Sequence, residues 1–168
     1  IIKRIPSFVR EEFHTYRNKL AGKLIELRGD AITYKGIRLD LSNKNLSTQL
    51  KGRFWFGDYE EEESRLVEVY LPKDKPVIEL GGCIGYLSCK INRKLDSPSE
   101  HVVLEGNPNL ISSLEANKEL NDCKFEIINN AYANNRNKIE FNIHHKFVGG
   151  SVQRKTENTV EVECLSLE

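Results

Sequence analysis

The sequence predicts an α/β fold built on a parallel sheet, with a small α+β segment in front of it. Two observations predict the sheet: short apolar strands alternate with helical segments between residues 77 and 128, and a glycine-rich turn follows the first strand. A third observation, a run of short, turn-divided strands before residue 53, sets the leading segment apart. With 168 residues, 39% hydrophobic and 30% charged, the chain has the size and composition of about one globular domain.

Charge is unevenly distributed along the chain. Residues 1–53 carry 12 basic and 5 acidic residues, a net of +7, whereas residues 54–168 carry 13 basic and 20 acidic residues, a net of −7. A basic leading segment can steer an anionic partner. Its basic residues are scattered, however, with no aromatic stripe between them, so we do not expect nucleic-acid binding.

Other compositional features exclude several classes of protein. No apolar run approaches the length of a membrane span, so we expect no membrane partner. The four cysteines form no CxxC pair, which excludes the usual zinc-site spacing. We therefore expect no metal, reduced thiols and a cytoplasmic location.

The leading segment, residues 1–53, is predicted to be a cap of one helix and short strands. Helical spacing of apolar residues begins after Ser7, which can cap a helix. The predicted elements are a helix over Ser7–Leu20, strands over Leu24–Leu27, Ala31–Tyr34 and Ile37–Leu41, and a polar loop over Ser42–Gly52.

A second helix is predicted to begin at Asp58. Glu61 lies three residues on, a spacing close to a capping box, and Pro72 ends the helix. The apolar residues at helical spacing predict a buried face of Leu66, Val67 and Tyr70.

The remaining chain, 54–168, is predicted to hold the parallel sheet. Its strands are Val77–Leu80, His101–Glu105 and Phe125–Ile128, and its helices are Tyr86–Lys94 and a segment capped by Asn107 with Pro108 in its first position. An Asn-rich turn region over Asn129–Asn137 follows, and then an antiparallel pair over Lys138–Ile143 and Thr159–Cys164.

The most informative string is Glu79-x-Gly81-x-x-x-Gly85, where a strand passes into a helix. Glycines there allow a ligand close to the backbone, and the helix offers free N–H groups. Glu105, twenty residues after Gly85, ends the next strand, where an acid can bind both hydroxyls of a ribose. A dinucleotide prefers GxGxxG, but Cys83 stands at the second glycine and Glu79 would face phosphates. The sulfonium and ammonium of S-adenosylmethionine suit an acid better, and an NAD-binding oxidoreductase is the alternative.

These stretches make the chain resemble an FkbM-type methyltransferase of the class I S-adenosylmethionine-dependent superfamily. The likeness covers roughly Phe54 to the end. It is carried by Phe56-Gly57-Asp58-Tyr59-Glu60 with Glu63, Val77-Ile78-Glu79-Leu80-Gly81-Gly82-Cys83-Ile84-Gly85-Tyr86, Val103-Leu104-Glu105-Gly106-Asn107-Pro108, Ile128-Asn129-Asn130-Ala131, and Gly149-Gly150-Ser151 with Val160-Glu161-Val162. The resemblance implies a Rossmann-like, doubly wound sheet, here partial, in an S-adenosylmethionine-binding domain.

The resemblance also implies roles for single residues. Glu79 and the backbone at Gly81, Gly82 and Cys83, with Gly85 completing the turn, would hold the methionine end of S-adenosylmethionine, and Glu105 would bind the ribose diol. The remaining cofactor-binding residues would be Asn107, Asn130 and Ala131 near the adenine, and Tyr59 and Glu60, or Glu63, closing the pocket from the cap.

By this resemblance the protein would transfer a methyl group directly to an oxygen of a small-molecule or sugar-like acceptor. No catalytic base is identified. The family's acidic segment after the hairpin would begin where this sequence stops, so we expect an incomplete chain, or a sheet edge completed by another copy in a homo-oligomer. A cofactor-binding module without catalytic activity is the non-enzymatic alternative.

Overall fold

The computed structural model describes residues 7–143, 150–151 and 159–166. The helices are α1 (Ser7–Leu27), α2 (Thr48–Phe56), α3 (Glu61–Tyr70), α4 (Tyr86–Lys94) and α5 (Pro108–Leu120). The strands are β1 (Ala31–Tyr34), β2 (Ile37–Asp40), β3 (Val77–Leu80), β4 (His101–Leu104), β5 (Glu126–Ile128), β6 (Ala131–Tyr132), β7 (Lys138–Ile143), β8 (Gly150–Ser151) and β9 (Thr159–Leu165). These elements form a mixed α/β structure, as the sequence predicted.

The parallel sheet has the order β3-β4-β5. Val103 and Glu79 point to the face that carries the helices, since a Cβ on Gly82 would collide with Val103 and Leu114, and Glu79 contacts Ser88 on α4. Ile78 and Leu80 alternate with Glu79 and are 52% and 53% exposed. Within the described part of the chain, one face of β3 is therefore open and β3 forms an edge of the sheet.

The β1–β2 hairpin is fastened to α5 by two asparagines one helical turn apart. Asn121 accepts a hydrogen bond from the Arg38 amide (3.0 Å) and donates to the Arg38 carbonyl (2.7 Å). Asn117 accepts from the Asp40 amide (2.7 Å) and donates to the Asp40 carbonyl (3.3 Å). The two side-chain amides thus pair with the outer edge of β2 as a neighbouring strand would, and they satisfy backbone groups that would otherwise be buried unpaired.

A continuous apolar core joins the leading segment to the sheet. Tyr34 lies edge-on to both Phe54 and Tyr86, with ring centroids 5.2 and 4.7 Å away. Members of the core from the two parts of the chain include Leu39, Leu41, Phe54, Ile84, Val103, Leu110 and Phe125. The β1–β2 hairpin is therefore packed against α4 and α5, the helices that cover one face of the parallel sheet.

A second sheet follows the Asn-rich turn, with the order β6-β9-β7-β8. The antiparallel pairing of β7 with β9, from Lys138 opposite Glu163 to Asn142 opposite Thr159, confirms the predicted pair. Its small core is formed by Ala131, Ile139 and Val162. Gly149, part of the family resemblance, lies outside the described residues.

Two predictions about the leading segment are wrong. Leu24–Leu27 is the last turn of α1 rather than a strand, because Arg28, Gly29 and Asp30 close the helix through hydrogen bonds to Ile25 and Glu26. The predicted loop over Ser42–Gly52 contains the start of α2, where the Ser47 hydroxyl accepts the Leu50 amide at 3.2 Å. In both cases packing between the helices outweighs local polarity and turn preference.

The prediction for α3 is also wrong in two respects. The helix begins at Glu61 instead of Asp58, because Gly57 ends α2 with φ of 79° and Glu60 adopts φ of 45°, which precludes a capping box. Of its expected apolar face, Leu66 (53% exposed) and Tyr70 (74% exposed) are turned to solvent and Val67 is half-buried, whereas Ser64 is buried against Tyr86.

In the described ranges, none of the helices combines the length and the apolar character needed to cross a bilayer.

We expect Gly52→Ala to destabilise the fold. A methyl group on Gly52 would lie 1.8 Å from the Asn18 carbonyl oxygen, and one on Gly22 would lie 1.7 Å from the Thr48 carbonyl oxygen, so α1 and α2 would have to separate. The free energy of unfolding, measured by urea denaturation, should fall by roughly 2 kcal/mol or more. Arg65→Ala on the exposed surface of α3 is the control and should change it little. Equal effects would contradict this close helix crossing.

Candidate functional site at the glycine turn

The turn between β3 and α4 needs its three glycines for different reasons. A Cβ on Gly82 would lie 2.4 Å from Val103 and one on Gly85 2.8 Å from Leu114, so these two glycines allow the turn to pack against β4 and α5. Gly81 has φ of +96°, and a Cβ there would meet open space. The backbone at Gly81 is consequently the part of the turn that a ligand can approach.

Cys83 joins the turn to the connection between α2 and α3. It has φ of 51°, a left-handed conformation that glycine adopts more readily, at the position where a dinucleotide motif has its second glycine. Its sulfur lies 3.1 Å from the Tyr59 hydroxyl, and Tyr59 stacks on Phe54 with ring centroids 4.2 Å apart. Burial is the main cause that raises the pKa of the Cys83 thiol, so the thiol stays protonated and serves in packing.

Glu105 ties the glycine turn to the end of β4. One carboxylate oxygen accepts the Cys83 amide and the other accepts the Asn107 amide, both at 2.7 Å. The side chain is buried, which raises its pKa, while these two backbone bonds act in the opposite direction. Each carboxylate oxygen has a second lone pair, so Glu105 retains acceptor capacity at the mouth of the turn.

Glu79 turns toward α4 and the start of β4. The Ser88 hydroxyl donates to one of its oxygens at 3.0 Å, and His101 Nε2 lies 3.2 Å from the other. The Asn92 amide lies 3.4 Å from His101 Nδ1 and donates to it, which leaves the ring proton on Nε2 to be donated to Glu79. Direct contact of Glu79 with a ligand stays a prediction. Its carboxylate belongs to the carboxyl end of β3, directly before the glycine turn.

Glu60 brings a third carboxylate to this region. Desolvation is the largest cause that raises its pKa to about 7, and the neighbouring charges of Glu79 and Glu63 raise it further. A hydrogen bond from Tyr59 and the positive charge of Arg53 lower it. The structure thus brings Tyr59, Glu60, Glu79 and Glu105 together around the turn, where negative charge exceeds positive charge.

The residues expected near an adenine are less closely gathered. Asn107 is the N-cap of α5, and its side chain accepts the Asn109 amide at 3.1 Å, as its sequence context predicted. Asn130 forms a tight turn by donating its amide to the Ile128 carbonyl (2.9 Å), and Ala131 is buried where β6 meets β9. Their contacts with adenine stay a prediction.

Sequence reasoning missed the residues that hold the two strand-end acids in place. Ser88 and His101 fix Glu79, and the Asn129 side chain donates to the Glu105 carbonyl at 2.6 Å. A histidine at the start of an apolar strand and a hydroxyl on the inner face of the following helix are the only signals of these contacts, and both are common. Their partners become evident only when the strands are in register, with Val77 opposite His101.

The chain matches no protein-family model, no curated protein sequence and no solved structure. Among the described residues, no group of three or more His, Cys, Asp or Glu side chains has the arrangement of a metal site.

We expect Glu60→Gln to stabilise the protein above neutral pH. Because burial raises the folded-state pKa from 4.5 to about 7, the folded protein binds a proton that the unfolded chain releases, and stability falls as pH rises through this interval. Glutamine removes this penalty, so the free energy of unfolding at pH 8 should rise by roughly 1–3 kcal/mol, with little change at pH 4. Urea denaturation at both pH values tests this.

Glu62→Gln, on the exposed first turn of α3, is the matched control and should have little effect at either pH. The same stabilisation at pH 4 and pH 8 would show that Glu60 does not titrate as its surroundings require.

Proposed function

We propose that the chain binds S-adenosylmethionine at the glycine turn and forms the cofactor-binding part of a methyltransferase with a Rossmann-like sheet. The observation that carries this proposal is the convergence of Glu60, Glu79 and Glu105 around a turn whose Gly81 backbone is open. Partly desolvated carboxylates favour a cationic ligand over an anionic one. The cofactor carries both a sulfonium and an ammonium, and no phosphate.

Glu105 is suited to hold a ribose. It lies at the carboxyl end of β4, next to β3, and its carboxylate is already oriented by the amides of Cys83 and Asn107. A carboxylate with free acceptor sites can take two vicinal hydroxyls at once, the geometry used for ribose diols at this place in α/β sheets.

The methionine end of the cofactor would meet the turn and the start of α4. Gly85 is the N-cap of α4 and has no side chain, so the amides of the first helical turn have no side-chain cap. These amides suit the methionine carboxylate, whereas Glu60 and the charge of Glu79 suit the ammonium group. Glu60 then acts as the pH-sensitive part of the site.

The same charges disfavour the dinucleotide alternative. A pyrophosphate placed at the start of α4 would lie among three carboxylates, and repulsion between like charges in a partly desolvated site is strong. Cys83 stands where that motif has its second glycine. Its side chain contacts Tyr59 and takes up space that a glycine would leave free for the pyrophosphate.

Glu60, Glu105 and the Gly81 backbone would hold S-adenosylmethionine, which would supply a methyl group on a positively charged sulfur to an acceptor oxygen; the C–S bond would break, S-adenosylhomocysteine would be the leaving group, and the acceptor would lose its hydroxyl proton to solvent. The described residues contribute binding, orientation and partial exclusion of water, the contributions on which such direct transfer depends. The proposed acceptor is a small molecule or sugar-like compound with a hydroxyl group, as the family resemblance implies, and no residue is assigned as the base.

Isothermal titration at pH 8 tests the proposal. We expect heat on addition of S-adenosylhomocysteine and none on addition of NAD. Glu60→Gln should weaken S-adenosylhomocysteine about tenfold, since about 1.4 kcal/mol corresponds to a factor of ten, and should leave adenosine, which lacks the amino-acid end, unchanged. Glu105→Gln should weaken both ligands.

Glu62→Gln serves again as the control and should bind both ligands as the wild type does. Absence of heat with S-adenosylhomocysteine from a folded protein, or tighter binding of NAD, would overturn the proposal. If both variants bound like wild type, the site would lie elsewhere.

A further inference from the structure

Helix α1 carries its apolar stripe on the side that faces away from the rest of the protein. Residues recurring every three or four positions, and therefore sharing one helix face, are 40–83% exposed. They are Val9, Phe13, Tyr16, Leu20, Leu24 and Leu27. This set is the α1 stripe, about 27 Å long at 1.5 Å per residue.

The opposite face of α1 already has its partner. Asn18, Ala21, Gly22 and Ile25 are buried, and the two glycines at positions 22 and 52 bring the backbones of α1 and α2 into contact. Small residues therefore satisfy the intramolecular packing, and the large apolar residues are left on the outside. A contiguous exposed row of this kind usually marks an interaction surface.

The order of residues along the stripe determines which partner fits. Its first half is Val9, Phe13 and Tyr16, and its second half is three leucines. Two copies of α1 packed antiparallel, with the two-fold axis near position 18, would place Tyr16 on Leu20 and Phe13 on Leu24 of the other copy. Each ring would then meet an aliphatic side chain, and Val9 would meet Leu27.

The charges beside the stripe favour the same arrangement. Glu12 precedes Phe13 and Lys23 precedes Leu24, so both lie on the same flank and both are exposed. Antiparallel packing brings Glu12 of each copy against Lys23 of the other, giving two opposite-charge pairs by symmetry. In parallel packing this flank would face the opposite flank of the partner, so Glu12 and Lys23 would not pair with each other.

The other flank does not oppose this packing. Arg17 lies there, but its guanidinium is hydrogen-bonded to Asp58 and rests over the Phe56 ring, 3.9 Å from the centroid. Its charge is thus paired within the same copy, and Phe56, 39% exposed, extends the apolar surface on this side.

We propose that the α1 stripe is the interface of a two-fold symmetric homodimer, formed by antiparallel packing of α1 against α1 of a second copy. The interface is isologous, because the same residues serve both copies. This inference rests on α1 and α2 and is independent of the methyltransferase proposal.

Sedimentation velocity on the natural full-length protein tests the dimer. We expect a dimer for the wild type, and a dissociation constant raised at least ~100-fold by Leu20→Glu, which places two charges at the centre of the apolar contact. Leu66→Glu on α3 is the matched control, since Leu66 is 53% exposed and Leu20 is 50% exposed, and it should leave the dimer intact. Circular dichroism verifies that each variant is folded.

A charge exchange tests the antiparallel register. Glu12→Lys and Lys23→Glu should each weaken the dimer about tenfold at low salt, and the double variant should return to within about twofold of the wild type, because each pair contributes only modestly but occurs twice. A monomeric wild type, a double variant weaker than either single one, or equal disruption by Leu66→Glu would overturn the proposal. So would a monomer that binds phosphatidylserine vesicles through the stripe.

Discussion

The hydrogen bonds from the side chains of Asn117 and Asn121 to the backbone of strand β2 are the interaction on which the tertiary structure of this protein depends. A two-stranded hairpin is marginal by itself, and its outer edge exposes unpaired backbone groups. Four hydrogen bonds from two side-chain amides, between 2.7 and 3.3 Å, close that edge against α5. Asn117 donates also to the Ile84 carbonyl (2.8 Å), so the same side chain links the hairpin to the glycine turn.

This attachment positions the residues that line one side of the glycine turn. With the hairpin in place, the Tyr34 hydroxyl donates to the Tyr59 carbonyl at 3.0 Å, and the Tyr59 hydroxyl reaches Cys83. Glu60 follows directly and becomes partly desolvated beside the other carboxylates. The raised pKa of Glu60 is therefore a consequence of this packing, because a solvated carboxyl group would keep its ordinary pKa.

Glu105 has two functions that are easily confused. Its bonds to the amides of Cys83 and Asn107 are structural, since they hold the turn and the first turn of α5 in position. Those bonds also orient the carboxylate for a ligand. A substitution at Glu105 therefore alters both the conformation of the turn and the binding of a ligand. Glu60 has no comparable backbone bonds among the described residues, which makes it the better position at which to separate charge from structure.

The sequence by itself determined the parallel strands, the helices between them and the cap at Asn107. Glycines, a proline and buried apolar runs impose these locally, and Tyr86–Lys94 and Val77–Leu80 were predicted with the bounds that the structure has. The sequence also singled out Glu79, Gly81 and Glu105.

The direction in which amphipathic helices face was decided only by the tertiary structure. The large apolar residues of α1 and α3 predict buried faces, yet glycine contacts in α1 and Ser64 in α3 face the core. Apolar periodicity indicates that a helix has an apolar side. Which side is buried depends on the shape of the neighbouring element, and the local sequence of the helix does not encode that shape.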